Sequence, residues 1–409
     1  MKRIYITRNK INIMIPFFLG FLIIMNIYLF SFSGVLFRIT DVLGILMYII
    51  LFFNILTNKV QKQIFYIIII SCPFIIWIFV SFILNDSETI SMSIRWILAL
   101  PWGYYIYKFC KSEYTKTFLV YGMIVGILVN LLILLIQYLG FLNITELLGL
   151  SLPNDKYMTV NNNIRVPGMH GHPNASSAVI SLVIPMVLYL VYKYNLNSIY
   201  IIFSLGVLYL GGQFTSTRTP IVVSIMLLVS FFISRFRYYR THKIILVLMM
   251  ISIIFISLVG PPGGWDRWLD SKNYNVNSQG RMDTILHSIQ MIIDYPLGVG
   301  LKNYRNLSGF AASHNAFLQL SIIYGLPISL FIIIILLIFP FFLFLKYSNL
   351  LLESIFSVQI IGLFMFEDHF HNPTFIILTC WFIITGCNLI FKKLKLKKNP
   401  YKENEKRGA

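Results

Sequence analysis

The 409-residue chain contains few charged residues. Asp, Glu, Lys and Arg make up only 12% of the sequence, whereas 57% of the residues are hydrophobic and the mean hydropathy is +0.77. A water-soluble core of this size does not require so much apolar sequence. The composition therefore excludes an ordinary soluble domain and predicts a polytopic membrane protein.

Cysteine is also scarce, and two other features are missing. The four cysteines fall within predicted membrane spans or at their inner ends, so we do not expect disulfides to hold the outer loops. The sequence shows no convincing internal repeat. It also has no small-residue cleavage site after the first apolar run, which we therefore interpret as a retained anchor and not a removed signal peptide.

The apolar sequence is divided into runs of about 20 residues, the length that crosses a bilayer as a helix. These runs lie at residues 12–32, 36–56, 64–84, 94–109, 117–141, 174–193, 198–214, 219–234, 244–260, 315–345, 350–367 and 373–391. We therefore predict an all-α fold with about twelve transmembrane helices. Residues 1–391 would form a single membrane domain, followed by a basic tail at residues 392–409.

The basic residues predict the orientation of these spans. Most of the 33 Lys and Arg residues fall in the N-terminal segment, the predicted inner loops and the tail, which places both termini in the cytoplasm. Because the net charge of +18 is distributed around the spans and not over one soluble face, we do not expect nucleic acid as a partner. We interpret the basic tail as an electrostatic anchor on the inner leaflet.

The predicted outer side holds the two longest loops, at residues 142–173 and 261–312. Three helices are predicted to begin on this side, each beside a cationic or titratable side chain. The starts are at Pro173 and Asn174 after Arg165, at Thr219 and Pro220 after Arg218, and at the cap Ser313, with His314 and Asn315 in the first turn. Helix N-termini that converge beside cationic groups favour the binding of a large anion.

The larger outer loop contains a predicted amphipathic helix. Its apolar residues recur at helical spacing at Met282, Ile285, Leu286, Ile289 and Ile293. We expect Ser278 to cap this helix, Tyr295 and Pro296 to end it, and a turn to follow at Gly298 to Gly300. The helix would lie on the outer membrane surface. Arg281, in the predicted first turn, indicates an anionic partner because the helix dipole disfavours a cation there.

Four of these motifs, in this order, resemble a family of bacterial membrane proteins. They are "RVPG....PN", "TSTRTP", "GR" before "IIDYPLGVGLKNY", and "SHNAFLQL...YGL". The sequence resembles the O-antigen polymerase and O-antigen ligase superfamily, most clearly over the fifth to tenth spans. The resemblance implies a fold like that of the GT-C membrane glycosyltransferases. It also implies transfer of a glycan from undecaprenyl diphosphate at the outer face of the inner membrane.

The resemblance assigns roles to individual residues. It implies that Arg218, Arg281 and His314 are catalytic, and that Arg165 is an additional basic residue of polymerase-like members. Asn174, Asn315 and His172 are expected to join Arg165 in substrate binding. No metal or other cofactor is implied, and we interpret the histidines of "MHGHPN" and "EDHFHNP" as sugar contacts or loop structure. Guanidinium groups suit a diphosphate leaving group, and an imidazole suits a general base.

Three alternatives differ in the chemistry they require. A ligase would pass the glycan to lipid A core, a transporter or flippase would place polar groups near mid-membrane, and a glycosyltransferase that uses polyprenyl-phosphate sugars would carry acidic residues in the first outer loop. The motifs favour the polymerase, whose product would be O-antigen or capsular polysaccharide. The expected partners are lipid-linked glycan donor and acceptor, membrane lipids and a chain-length regulator.

Overall fold

A computed structural model describes a large part of the chain. The described residues are 2–32, 35–57, 62–141, 158–160, 163–197, 199–217, 220–225, 227–228, 271–309, 313, 315–334, 342–343, 350–366 and 372–397. Helices dominate these residues, with two short antiparallel hairpins. The hairpins are formed by β1 (Tyr28–Phe32) with β2 (Val35–Arg38) and by β3 (Met158–Val160) with β4 (Asn163–Arg165).

The helices follow the chain with short connections between most of them. Those of the N-terminal half are α1 (Lys2–Ile24), α2 (Ile39–Thr57), α3 (Lys62–Ile83), α4 (Ser87–Phe109), α5 (Glu113–Tyr138), α6 (Pro173–Ser181), α7 (Val183–Tyr194) and α8 (Ile199–Thr215). Those of the C-terminal half are α9 (Ser271–Asp294), α10 (Leu301–Ser308), α11 (Ala316–Tyr324), α12 (Leu326–Ile333), α13 (Leu351–Phe366) and α14 (Pro373–Lys397). Residues 220–225 form a further helical segment.

Among the described residues, length and composition mark three helical stretches as able to cross a membrane, the second of them formed by α6 and α7 together. They cover Glu113–Tyr138, Pro173–Tyr194 and Pro373–Ile390, and shorter apolar helices accompany them. The prediction of an all-α polytopic membrane protein is confirmed. The number twelve remains a prediction, because residues 229–270, which contain the predicted span 244–260 and part of the predicted span 219–234, lie outside the described residues.

Three predicted spans have different bounds in the structure. The first helix ends at Ile24, and residues predicted to continue it form β1. The fourth begins at Ser87, because the carboxylate of Asp86 accepts a hydrogen bond from Thr89 N at 3.0 Å and caps the helix. The tenth is interrupted at Gly325, whose φ of +81° is a left-handed conformation that a continuous helix cannot contain.

Glycines allow the central helices to approach closely. A Cβ atom placed at Gly122 on α5 would lie 1.9 Å from the carbonyl oxygen of Phe17 on α1. A Cβ at Gly103 on α4 would lie 2.6 Å from the carbonyl carbon of Cys380 on α14. Small residues at such contacts bring helix backbones together, which is the usual basis of packing between membrane helices.

Helix α5 links two polar regions near its opposite ends. At its start, Lys116 contacts Glu113 at 3.2 Å and the buried Glu353 of α13 at 2.6 Å. Near its end, Gln137 Oε1 accepts a hydrogen bond from Gly168 N at 2.8 Å. At about 1.5 Å per residue these levels are roughly 35 Å apart, a distance comparable to the thickness of a bilayer. This separation agrees with the predicted inner position of Glu113 and outer position of Gly168.

Candidate functional site

The structure describes only one of the three predicted catalytic residues, and only its backbone. Arg218 and His314 lie outside the described residues, as does the predicted cap Thr219, and Arg281 is described only as a backbone position within α9. The structure does describe the chain immediately beside each of them. The candidate site is therefore built from the segments that lead into positions 218, 281 and 314.

Arg165 joins the outer loop to the chain that leads to position 218. Its Nε donates to the carbonyl oxygen of Thr215 at 2.9 Å, and its Nη2 donates to Asn174 Oδ1 at 2.7 Å. The next residue, Val166, donates its backbone N–H to the carbonyl oxygen of Phe214 at 3.1 Å. Arg165 therefore holds together the end of β4, the end of α8 and the start of α6.

The predicted helix start at Pro173 is confirmed, and the structure identifies its cap. His172 is the N-cap of α6, and its Nδ1 accepts a hydrogen bond from Asn174 N at 3.2 Å. Pro173 occupies the first turn, where its missing N–H leaves no donor unpaired. His172 and Asn174 thus have structural contacts here, and their predicted part in substrate binding stays a prediction.

A glutamine on α13 connects the helices that follow two of the motifs. Gln359 Nε2 donates to Ser181 Oγ at the end of α6 and to Ser224 Oγ in the helical segment after position 218, both at 3.0 Å. All three side chains are buried. Polar contacts between apolar helices are stabilising because few other partners exist there. A polar residue in an apolar run, such as Gln359, indicates a buried polar contact, but the sequence does not indicate its partners.

The fourth motif, "SHNAFLQL", is anchored to the same helix α13. Asn315 is the N-cap of α11: its Oδ1 accepts from the backbone N–H groups of Phe317 and Leu318 at 2.9 and 3.1 Å. Its Nδ2 donates to the carbonyl oxygen of Met365 on α13 at 3.0 Å. The prediction of Ser313 as the cap is wrong, because Ser313 Oγ donates to the Asn315 carbonyl oxygen at 2.8 Å. Helix α11 starts at Ala316, so Asn315 is not in its first turn.

Two glycine-containing segments fix α11 against the end of α9. Val299 N donates to the carbonyl oxygen of Ile322 at 2.8 Å, and Leu326 N donates to that of Pro296 at 2.8 Å. A Cβ atom at Gly298 would lie 2.4 Å from Gly325 N, so the two backbones are in direct contact. Both glycines have positive φ. The hydrogen-bonded turn after α9 covers residues 295–298, where Gly298 N donates to the carbonyl oxygen of Tyr295 at 2.9 Å, so it lies earlier than the turn predicted at Gly298 to Gly300. We call residues 296–300 and 322–326 the glycine crossing.

Helix α9 has the amphipathic character that the sequence predicts. Its exposed apolar side chains are Met282, Leu286, Ile289 and Ile293, whereas Thr284 and Ser288 are buried on the opposite face. Ser288 Oγ lies 3.5 Å from Tyr304 Oη of α10. The predicted cap Ser278 is wrong, because α9 begins at Ser271 and Ser278 lies inside it. Arg281 is likewise in the body of the helix and not in its first turn.

Helix α10 is attached to the start of α4 through Asp86. The buried Asp86 Oδ2 accepts from Thr89 Oγ1 at 2.8 Å and from Lys302 N at 3.1 Å, and Thr89 Oγ1 accepts from Leu301 N at 2.8 Å. On the exposed side, Arg305 pairs with Glu88. These contacts join two parts of the chain: the turn between the third and fourth predicted spans, and the larger outer loop. The predicted topology places both on the outer side.

The segments beside the predicted catalytic positions are thus tied to a common support. Gln359 connects α13 to the helix after position 218, Asn315 connects α13 to the helix after position 314, and the glycine crossing connects that helix to α9, which carries Arg281. Among the described residues, no group of three or more His, Cys, Asp and Glu side chains is arranged to hold a metal ion.

The comparison with protein families agrees with the motifs. The family model described as O-antigen ligase matches residues 199–333, a segment that contains Arg218, Arg281 and His314. None of the curated proteins compared with the chain matches it. The match over residues 199–333 confirms the resemblance and supports membership of the superfamily of O-antigen ligases and polymerases. Members of this superfamily are glycosyltransferase-like membrane proteins that act on lipid-linked glycans.

Proposed function

We propose that the protein is a polysaccharide polymerase, which joins undecaprenyl-diphosphate-linked repeat units at the outer face of the inner membrane. The product would be O-antigen or capsular polysaccharide, and both chain termini would be cytoplasmic. The proposal rests on the family match over residues 199–333, on the order of the four motifs and on the common support of the chain beside positions 218, 281 and 314.

The proposed reaction is a displacement at the anomeric carbon of the donor sugar. A hydroxyl oxygen of the acceptor forms a bond to this carbon while the bond from the carbon to the diphosphate oxygen breaks. The electron pair of the broken bond stays on the diphosphate, whose growing charge Arg218 and Arg281 neutralise. The hydroxyl proton passes to His314, which acts as general base. The chemistry uses no metal ion.

The observation that favours a polymerase over a ligase concerns Arg165. The motif resemblance gives this additional basic residue to polymerase-like members, and its guanidinium donates to the carbonyl oxygen of Thr215, three residues before Arg218 in the sequence. A cation in this position would add positive charge beside the proposed diphosphate site. A ligase that transfers the glycan to lipid A core remains the second candidate, because it would use the same displacement.

The experiment that tests the function compares His314→Gln with the unchanged protein. Glutamine has similar reach and almost no basicity, so polymer formation from purified lipid-linked repeat units should fall by about 10²- to 10⁴-fold. Binding of the lipid-linked donor should be retained, because Arg218 and Arg281 provide it. Arg218→Ala and Arg281→Ala should lose both polymer formation and donor binding. Lysine at either position should restore the two only in part.

Arg305 is a matched control. It lies in the same predicted outer loop as Arg281, and its side chain is paired with Glu88. Arg305→Gln should polymerise at the rate of the unchanged protein. Polymerisation by His314→Gln at that same rate would show that His314 is not the base. Transfer of single glycans to lipid A core, without chain extension, would identify the protein as a ligase.

A further inference from the structure

A second arginine cluster lies outside the proposed catalytic centre. Arg38, at the end of β2, places its guanidinium carbon 5.4 Å from the ring centre of the buried Tyr28. Its Nε and Nη1 atoms are buried, and no acceptor among the described residues lies within hydrogen-bonding distance of either. Buried guanidinium donors without an acceptor are costly, and an anionic ligand would remove that cost.

Arg95 adds a second positive charge to this cluster. Its guanidinium is close enough to Arg38, Asp41 and Tyr28 to interact electrostatically with each of them. The packing of the helices agrees with this position: a Cβ atom at Gly44 on α2 would lie 2.6 Å from the carbonyl oxygen of Leu98, one helical turn after Arg95 on α4. Arg38 and Arg95 therefore lie within electrostatic range of each other, with one carboxylate, that of Asp41, nearby.

The carboxylate of Asp41 already accepts a hydrogen bond from the backbone. Its Oδ2 accepts a hydrogen bond from Arg38 N at 3.0 Å, an interaction with the main chain and not with the guanidinium. The cluster therefore keeps an excess of positive charge at the start of α2. The guanidinium of Arg38, whose Nε and Nη1 have no acceptor among the described residues, matches the oxygens of a phosphate group in geometry as well as in charge.

The surroundings of the cluster indicate a lipid-linked anion. In the turns of α2 that follow Arg38 in the chain, an exposed apolar stripe would face the hydrocarbon region of the membrane. Its members are Leu46, Ile49, Ile50 and Phe53, each between 46% and 60% exposed. Beside Arg38, Tyr28 is joined through Asn26 to the carbonyl oxygen of Met169, at 3.2 and 2.8 Å, so the cluster adjoins the outer loop that carries Arg165.

We propose that Arg38 and Arg95 form a second anion site, which binds the phosphate group of a lipid whose hydrocarbon chain lies along the exposed face of α2. This inference rests on the proposed function, in which donor and acceptor are both lipid diphosphates and two such groups must be held at once. The catalytic arginines hold the leaving diphosphate, and the Arg38 and Arg95 site holds the diphosphate of the other substrate.

The test measures how many undecaprenyl diphosphate molecules the purified protein binds, using the lipid without a sugar so that no reaction occurs. The unchanged protein should bind two per chain. Arg38→Gln combined with Arg95→Gln should bind one, and Arg305→Gln should bind two. Two equivalents bound by the double variant would overturn the proposal. Inorganic diphosphate that binds to this site as tightly as the lipid would overturn the assignment of a lipid ligand.

A second variant does not depend on the stability of the double substitution. Asp41→Asn removes the negative charge that faces the two arginines, while the amide oxygen can still accept from Arg38 N. Undecaprenyl diphosphate should then bind to the second site about threefold to tenfold more tightly. Unchanged or weaker binding would contradict a site in which these arginines contact the anion.

The same assay separates failure of this inference from failure of the proposed function. If Arg218→Ala with Arg281→Ala still binds two equivalents while the Arg38 and Arg95 variant binds one, the second site stands and the proposed catalytic site is wrong. If the first variant binds one equivalent and the second binds two, the catalytic site stands and the second site is wrong.

Discussion

Replacing Asp86 with alanine would remove an acceptor that two helices share. The carboxylate caps α4 through Thr89 N and receives the backbone N–H of Lys302 at the start of α10. It also accepts from Thr89 Oγ1, which in turn accepts from Leu301 N. The substitution therefore affects four described hydrogen bonds, two of them to the outer loop.

The expected loss of stability follows from these contacts. Removal of an N-cap costs about 0.5–2 kcal/mol, and a buried backbone donor left without an acceptor costs about 1–3 kcal/mol. For Asp86→Ala we expect a decrease of about 2–4 kcal/mol in the free energy of unfolding. The neighbouring Glu88→Gln is the matched control, because the pair of Glu88 with Arg305 is exposed and contributes at most about 1 kcal/mol.

Both variants can be compared by thermal and denaturant unfolding of the purified protein in one detergent. The measurement should show a clearly lower midpoint for Asp86→Ala and a midpoint for Glu88→Gln close to that of the unchanged chain. Polymerisation should fall only in Asp86→Ala, since Asp86 holds α10, which directly follows the 296–300 segment of the glycine crossing, and this segment contacts α11. Equal midpoints for the two variants would refute the claim that Asp86 anchors the outer loop.

Two further substitutions test other parts of the support. Gly325→Ala should reduce both stability and polymerisation, because the new Cβ would meet backbone at 2.5 Å and the φ of +81° disfavours alanine; Gly206→Ala, where no atom lies within 4 Å, should do neither in the same unfolding and activity assays. Glu353→Gln should destabilise by about 1–3 kcal/mol because Lys116 loses its buried partner but keeps Glu113, and adding Lys116→Met should restore most of the unfolding midpoint. A Glu353→Gln protein as stable as the unchanged one would show that the pair is not needed.

Local signals in the sequence predicted part of this structure correctly. Pro173 marked the start of α6 because proline is favoured in the first turn of a helix, and the apolar spacing of α9 described its exposed face. The cap of α11 was assigned to Ser313 and not to Asn315, since both residue types cap helices and only the folded chain shows which oxygen the helix uses. The break at Gly325 was missed because a count of apolar residues does not report backbone conformation.

The connections between the motifs could not be predicted from local sequence. Gln359 contacts side chains 178 and 135 residues earlier in the chain, and Asn315 contacts a carbonyl group 50 residues later. Periodicity and capping rules describe neighbours within a few residues and carry no information about such pairs. The motif order indicated that the segments act together, but only the tertiary structure identifies α13 as the element that joins two of them.

The glycine crossing has a consequence for how such sequences can change over evolution. Its hydrogen bonds join main-chain atoms, from Val299 to Ile322 and from Leu326 to Pro296, so they do not depend on the side chains at these positions. Related sequences should therefore vary freely at 299, 322 and 326 provided the side chains stay apolar, while Gly298 and Gly325 stay fixed. The residues between the two segments of the glycine crossing include position 314. This stretch could then acquire different lengths and acceptor preferences while its two ends keep the same geometry.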